Sequence, residues 1–223
     1  MGLQTGRGKT FCALKSITDL GYKFVVIVLA RFVKNWVKEI QKITDIKAKE
    51  ILLVDSSSAM KALTEMAVTP GSMDPYKAIV MGNRSFISYI TAFENSGADI
   101  EALGYMVTPD ELWPKLGVGI RLIDEVHMEF HANFRLDLYT HIKRTISLSA
   151  TLISDDPHEK RMHNIAYPKD ERSEEQQLTK YIDSFGVVYT IPNRWHYKTA
   201  YRGSSNYSHA AFEDSILRNK DFT

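Results

Sequence analysis

Short apolar runs that alternate with helix-like segments are the feature that most limits how this sequence can fold. The run "FVVIVLA" (24–30) is apolar at every position, which is typical of a parallel strand that helices cover on both faces. Comparable runs lie within "AKEILLVD", "KAIVMGN", "VGIRLIDEVH" and "RTISLSAT". Because right-handed crossovers join parallel strands, this order predicts a doubly wound α/β domain with a mainly parallel sheet flanked by helices.

Four other segments place apolar residues at helical spacing. They are "TFCALKSITDL", which Gly21 should end, "RFVKNWVKEIQKI", "AMKALTEMA" and "SFISYITAFEN". Glycine and proline punctuate residues 96–119, where we expect irregular structure. Residues 154–177 are charged and poor in large aliphatic side chains, so we expect a loop or an exposed connector. Further along, residues 181–191 predict a strand and residues 209–220 a short helix.

Composition limits the partners and the compartment. The 28 lysine and arginine residues nearly balance the 27 aspartate and glutamate residues, so any nucleic-acid surface must be a local patch. Cys12 is the only cysteine, which excludes an intrachain disulfide and favours a reducing compartment. The longest apolar run is far shorter than the roughly 20 residues that span a bilayer. We therefore expect a cytoplasmic protein without a membrane partner.

The segment "TGRGKT" (5–10) has the composition of a phosphate-binding loop. Its glycines allow backbone N–H groups to face an anion, Lys9 suits the β- and γ-phosphate oxygens, and the Thr10 hydroxyl suits Mg²⁺. Leu3 stands where the full motif has its first glycine. The expected nucleotide-binding residues of this loop are Thr5, Gly6, Arg7, Gly8, Lys9 and Thr10. The segment predicts a site for a nucleoside triphosphate with Mg²⁺.

Carboxylate and hydroxyl side chains that suit the same site follow two further predicted strands. Asp124 and Glu125 follow an apolar strand, where α/β proteins bind ligands; Asp124 is expected to hold Mg²⁺ and Glu125 to orient an attacking water. Ser149 and Thr151 follow the next strand, where their hydroxyls are expected to bond the acidic pair and sense the γ-phosphate. Taken alone, these two hydroxyl residues are also explained as an ordinary helix cap.

In this order and spacing, the segments resemble motifs of superfamily 2 helicases. "LQTGRGKT" looks like motif I, "DEVH" like the DExH box and "SAT" like motif III, and the greatest similarity is to DNA helicases of large-genome bacteriophages. The resemblance covers about residues 1–152 and implies an N-terminal RecA-like P-loop domain that hydrolyses ATP with Mg²⁺ to remodel or unwind DNA. It implies catalytic roles for Lys9, Asp124 and Glu125, and a role for His127 in coupling the nucleotide site to motif III. A phage-encoded enzyme would act in the host cytoplasm.

The resemblance also implies where DNA is bound. "VVIVLARFVKNWVKEI" resembles motif Ia, although Ala30 stands where a proline is frequent. Sequence-independent contacts to the DNA backbone are expected from residues that follow strands in the DNA-facing loops of the family. These are Arg31, Lys34, Asn83 and Arg84.

The similarity weakens beyond residue 152, and we expect residues 153–223 to be a connector and the start of a second domain. Helicases of this class bind ATP between two RecA-like domains, the second of which supplies catalytic arginines. No string like "QxxGRxxR" occurs in the sequence. We therefore expect a fragment that is poorly active alone and that needs a second RecA-like lobe in cis or in trans.

A second interpretation is a non-catalytic nucleotide- or nucleic-acid-binding module that lacks this lobe. The tail "YTIPNRWHYKTAYRGSSNYSH" mixes aromatic and basic residues. That mixture suits base stacking and phosphate neutralisation on single strands. Aromatic packing within a small sheet explains the same composition, so the tail alone does not separate the two interpretations.

Overall fold

The computed structural model describes residues 8–97, 99–128, 130–149, 156–172 and 208. The strands are β1 (Phe24–Val28), β2 (Ile51–Val54), β3 (Ala78–Gly82), β4 (Ile120–Ile123) and β5 (Arg144–Ser147). The α-helices are α1 (Lys9–Leu20), α2 (Val33–Ile43), α3 (Ser57–Val68), α4 (Asn83–Asn95), α5 (Pro109–Leu116), α6 (Phe130–Thr140) and α7 (Pro157–Ala166). Short 3₁₀ turns occupy Ala30–Phe32, Ala48–Glu50 and Lys169–Glu171.

The five strands form one sheet in the order β2-β3-β1-β4-β5, and every neighbouring pair is parallel. Val26 in the middle of β1 lies beside Val80 of β3 and Leu122 of β4. All five residues of β1 and of β3 are buried, as the uninterrupted apolar runs predicted. The predicted fold class, an α/β domain with a mainly parallel sheet flanked by helices, is confirmed.

Two apolar layers lie on opposite faces of the sheet. Residues alternate along β1, so that Val25 and Ile27 join one layer while Phe24, Val26 and Val28 join the other. We call the layer formed with α3 to α6 the aromatic layer, because it contains Phe86, Tyr89, Tyr105 and Trp113. The two-helix layer is formed with α1 and α2 and contains Ala13, Leu14, Ile17, Val33, Trp36 and Ile40.

The five predicted strands and the first four predicted helices are confirmed. Helix α1 ends as expected at Gly21, whose φ of 69° is in the left-handed region that a glycine tolerates without strain. Its backbone N–H donates to the Thr18 carbonyl and closes the helix.

Two expectations of irregular structure were wrong, at α5 within 96–119 and at α7 within 154–177. Helix α5 begins with a capping box in which Thr108 and Glu111 bond each other's backbone N–H groups, with Pro109 at the first helical position. The sequence contains this helix-start signal, but the glycines on either side of it favoured irregular structure instead. Helix α7 is rich in charged and histidine side chains, so it has too few apolar residues to predict a helix from their spacing.

Helix α6 was also missed, because polar residues occupy its buried face. Asn133 and Thr140 are 6% and 2% exposed. Arg121, which is 3% exposed on β4, donates to the Thr140 hydroxyl at 2.7 Å and pairs with Asp137. The helix therefore packs through hydrogen bonds as well as apolar contacts, and its hydrophobic pattern is weak.

The described residues other than Ser208 fall within one compact unit that ends at Gln176. The expected strand at 181–191, the expected helix at 209–220 and the aromatic tail lie outside the described residues, Ser208 excepted. The boundary between 152 and 153 stays a prediction. None of the helices in the described part of the chain combines the length and apolar character that a membrane span needs.

Candidate functional site

The carboxyl ends of parallel strands meet at one edge of a sheet, and most of the residues singled out in the sequence follow such ends. Arg31 follows β1, and Asn83 begins α4 directly after β3. Asp124 and Glu125 follow β4, and Ser149 lies two residues beyond β5. Five segments distant in sequence thus reach the same edge, because Thr10 of α1 shares a pocket there with Asp124.

The start of α1 has features that suit the binding of an anion. Gly8 precedes the helix with a φ of 80°, and half-buried Lys9 and Thr10 are the first helical residues. The first turn contains no acidic residue, and within the described residues no side chain caps it. The positive end of the helix dipole and its first N–H groups are therefore not neutralised by the helix itself. Thr5, Gly6 and Arg7 lie outside the described residues.

Thr10 and Asp124 line a pocket of about 310 Å³ together with residues of α2 and the turn before it. The other lining residues are Phe32, Asn35, Trp36, Lys38 and Glu39. Both carboxylate oxygens of Asp124 are held: Oδ1 accepts from the Glu125 backbone N–H at 3.0 Å, and Oδ2 accepts from Trp36 Nε1 at 2.9 Å. The carboxylate is therefore oriented by two donors before any ligand binds.

The oxygen donors of this pocket fit Mg²⁺ better than a softer metal. Thr10 supplies a hydroxyl and Asp124 a carboxylate, which are the hard ligands that Mg²⁺ prefers. The described residues contain no group of three or more histidine, cysteine, aspartate or glutamate side chains that would form a complete protein cage. Mg²⁺ ordinarily binds through one or two carboxylates, with water and substrate phosphates completing the shell.

The turn after Asp124 is constrained by its neighbours. Glu125 adopts a φ of 49°, in the left-handed region that costs a residue with a side chain free energy. The Leu148 N–H donates to the Ile123 carbonyl at 2.8 Å, and the Val126 N–H donates back to the Leu148 carbonyl at 3.0 Å. These bonds extend the β4–β5 pairing beyond the ends of the two strands. They hold in place the turn formed by residues 124–128, which we call the acidic turn.

Buried Asn133 holds the same turn from α6. Its side-chain amide donates to the Met128 carbonyl at 3.1 Å and to the Val126 carbonyl at 3.4 Å. Hydrogen bonds on both sides of the turn thus offset the free-energy cost of the unfavourable backbone conformation of Glu125.

His127, Ser149 and Glu125 form a small cluster next to the turn. His127 Nδ1 lies 2.8 Å from the Ser149 hydroxyl oxygen and 3.4 Å from Glu125 Oε2. Despite that proximity, the buried Oε2 atom accepts no hydrogen bond from the described residues. A buried carboxylate oxygen without a hydrogen-bond donor is costly, but the Glu125 side chain as a whole is 28% exposed, so part of its carboxyl group is open to solvent. Thr151, the second expected hydroxyl, lies outside the described residues.

Three of the four expected nucleic-acid residues share a second pocket at this edge. Arg31, Asn83 and Arg84 line a groove of about 450 Å³, which Leu29, Ala30 and Met128 complete. We call it the arginine groove. Arg31 also stacks on Phe32, with its guanidinium carbon 4.8 Å from the ring centroid. Lys34 is exposed on the first turn of α2 and is not among the lining residues.

Trp36, Asn133 and Met128 also contribute to these sites, and none of them was among the site residues expected from the sequence. Helical spacing identified Trp36 only as an apolar residue of α2, and its bond to Asp124 joins residues 88 positions apart. Asn133 interrupts the apolar pattern of its own helix, which is the one local sign that a buried polar side chain has a specific partner.

No protein-family model matches the chain, and no curated protein matches its sequence. Among solved structures, the chain is similar to the crystal structure of the Pyrococcus furiosus Hef helicase domain, with a TM-score of 0.47 and 15% sequence identity. The matched region covers 74% of this chain and 31% of the Hef chain. At that level of similarity, the Hef structure assigns no role to any residue here.

Proposed function

We propose that this chain is the first motor domain of an ATP-dependent helicase or translocase of DExH type, which hydrolyses ATP with Mg²⁺ and acts on DNA. One observation supports the proposal most directly. Thr10 and Asp124, from the phosphate-loop motif and the acidic motif, line a single pocket at the start of α1. The donor types in that pocket suit a metal–triphosphate complex.

The expected phosphate and metal ligands have roles that their chemistry supports. Lys9 and the first N–H groups of α1 bind the β- and γ-phosphates, because they carry positive charge at the helix start. Thr10 and Asp124 hold Mg²⁺, which when bound neutralises charge on the phosphate oxygens. The two donors on Asp124 keep its carboxylate directed into the pocket.

Glu125 is the proposed water-orienting base. Its side chain is 28% exposed beside Asp124, so its carboxylate can be reached by a water molecule and can accept a proton from it. His127, bonded to Ser149, lies 3.4 Å from Glu125 Oε2 and connects the acidic turn to the end of β5. We assign the His127–Ser149 pair to sensing the state of the nucleotide.

The arginine groove is the proposed DNA-binding surface. Arg31 and Arg84 provide charge for backbone phosphates, so the contacts carry little sequence information. Asn83 was expected to contact DNA too, but it is only 4% exposed and its Oδ1 accepts from the Arg84 backbone N–H at 2.8 Å, so its proposed role is to support the groove. Met128 lines the groove only three positions after Glu125, so the acidic turn takes part in both pockets. Movement along DNA further requires a second RecA-like lobe, in cis or in trans.

The proposal is tested by titrating ATP into the 223-residue chain with Mg²⁺ present. Lys9→Ala should weaken binding by about 10- to 100-fold, because charge-assisted bonds to the phosphates are lost. Lys15→Ala is the matched control: Lys15 lies on the same helix but is exposed and paired with Asp19 at 2.7 Å. Equal loss in both variants, or none in either, would contradict the phosphate site.

A turnover assay separates the enzyme from the non-catalytic binding module. Glu125→Gln should reduce any ATP hydrolysis, with or without single-stranded DNA, by at least about 100-fold while ATP still binds. Binding of ATP without Glu125-dependent hydrolysis, even with a second lobe added, would favour the module.

A further inference from the structure

Among the described residues, the indole of Trp36 on α2 donates the one side-chain hydrogen bond that Asp124 accepts. Trp36 is 4% exposed in the two-helix layer, and its Nε1–H donates to Asp124 Oδ2 at 2.9 Å. The ring packs with the core while the N–H reaches the pocket that Thr10 and Asp124 line. Trp36 thus has two roles: its ring packs in the apolar core, and its N–H donates a hydrogen bond to a carboxylate.

We propose that Trp36 is a positioning residue that fixes the Asp124 carboxylate for Mg²⁺, an inference that rests on the proposed nucleotide site. The Glu125 N–H holds Oδ1, but it belongs to the adjacent residue and moves with the same turn. The Trp36 N–H belongs to α2, so it defines the rotation of the carboxylate relative to the two-helix layer. The lone pairs of Asp124 that Trp36 and Glu125 leave unused are then directed at the metal.

The chain contains a natural control for this role. Trp113 on α5 is fully buried in the aromatic layer, and its Nε1 has no hydrogen-bond partner among the described residues. Trp36→Phe and Trp113→Phe remove the same atoms from two buried sites, but only the first removes a donor to a carboxylate. A difference between the two variants therefore reports the hydrogen bond and not the loss of ring volume.

The first measurement is the Mg²⁺ dependence of ATP binding. Trp36→Phe should raise the Mg²⁺ concentration for half-maximal binding by about 10- to 100-fold, as removal of outer-shell partners does at metal sites. Binding of ATP in EDTA should not change, and Trp113→Phe should keep the wild-type Mg²⁺ requirement. An unchanged requirement in Trp36→Phe, with normal Lys9-dependent binding in the wild type, overturns the inference and leaves the proposed function standing.

The second measurement does not depend on a folded Trp36 variant. The chain has three tryptophans, so its ¹H–¹⁵N spectrum contains three indole signals. Asp124→Asn, and Mg²⁺ with ATP, should each shift the Trp36 signal and leave that of Trp113 in place. A Trp36 signal that responds to neither overturns the inference. Failure of the wild type to bind ATP at all overturns both the inference and the proposed function.

Discussion

The two layers on either side of the sheet use their aromatic residues differently. In the aromatic layer, the ring centroids of Phe86 and Trp113 lie 5.3 Å apart, and those of Tyr89 and Tyr105 lie 4.5 Å apart. The Tyr89 hydroxyl donates to the Val107 carbonyl, and burial raises the pKa of this phenol above its ordinary value. In the two-helix layer, the buried Trp36 instead donates its indole N–H to the Asp124 carboxylate.

This difference separates a layer whose aromatic residues mainly stabilise the domain from a layer whose helices line the pocket that contains Thr10 and Asp124. The helices of the aromatic layer contact one another and pack against β1, β2 and β3. Helices α1 and α2 instead supply five of the seven residues that line the pocket at the carboxyl edge. Changes in the aromatic layer should therefore alter folding more than binding. Substitutions in the two-helix layer that face the pocket should instead alter nucleotide binding more than folding.

The largest expected effect lies in the aromatic layer. Trp113→Ala should lower the free energy of unfolding by about 3–5 kcal/mol, because it leaves a large cavity beside Phe86. Urea denaturation measures the change, with Leu138→Ala as a control, since Leu138 is 60% exposed on α6. If the folded Trp113→Ala protein lost ATP affinity to the same extent as Lys9→Ala, the separation of the layers would be wrong.

An intermediate effect is expected at the arginine groove, which lies at the carboxyl edge between the layers. Arg84→Ala should reduce the salt dependence of single-stranded DNA binding, lowering the slope of log K against log salt by about 0.7. The loss should be the same for DNA of any sequence. Fluorescence anisotropy at several salt concentrations measures it, and Lys42→Ala, at the exposed far end of α2, should leave the slope unchanged.

The smallest effect is expected at the solvent rim of the aromatic layer. Glu94 on α4 accepts from the Tyr139 hydroxyl at 2.7 Å and pairs with Arg135, both on α6, and these contacts hold the pKa of its carboxyl below its ordinary value. A lowered pKa in the folded state adds stability above pH 4.5, the ordinary pKa, and that contribution is lost as pH falls through the folded value. Glu94→Gln should therefore be slightly less stable than wild type at neutral pH.

The difference between Glu94→Gln and wild type should shrink below pH 4.5 and then vanish. Urea midpoints at a series of pH values measure it, with Glu101→Gln on a surface turn as the comparison. A constant difference at all pH values would show that the pair does not act through the charge of Glu94.

Local pattern predicted most of the fold. Apolar runs located all five strands, and periodic spacing located α1 to α4, because burial on both faces or on one stripe leaves a direct mark on composition. The pattern did not reveal α5, α6 and α7. The first is only eight residues long and lies among glycines, the second buries the polar Asn133 and Thr140, and the third is rich in charged and histidine side chains. Helix α5 does bury apolar residues at helical spacing, but the stretch is short, and in α6 and α7 polar residues interrupt the apolar period.

Sequence by itself determined which chemical groups begin α1 and follow β4. Short motifs place Lys9 and Thr10 after a glycine and Asp124 and Glu125 at a strand end. Only the tertiary structure decided how those groups are supported. The strand order, the bonds from Asn133 to the acidic turn and the bond from Trp36 to Asp124 all join segments that are distant in sequence. Such contacts depend on how helices cross the sheet and which rotamers then fit, and a one-dimensional pattern contains neither.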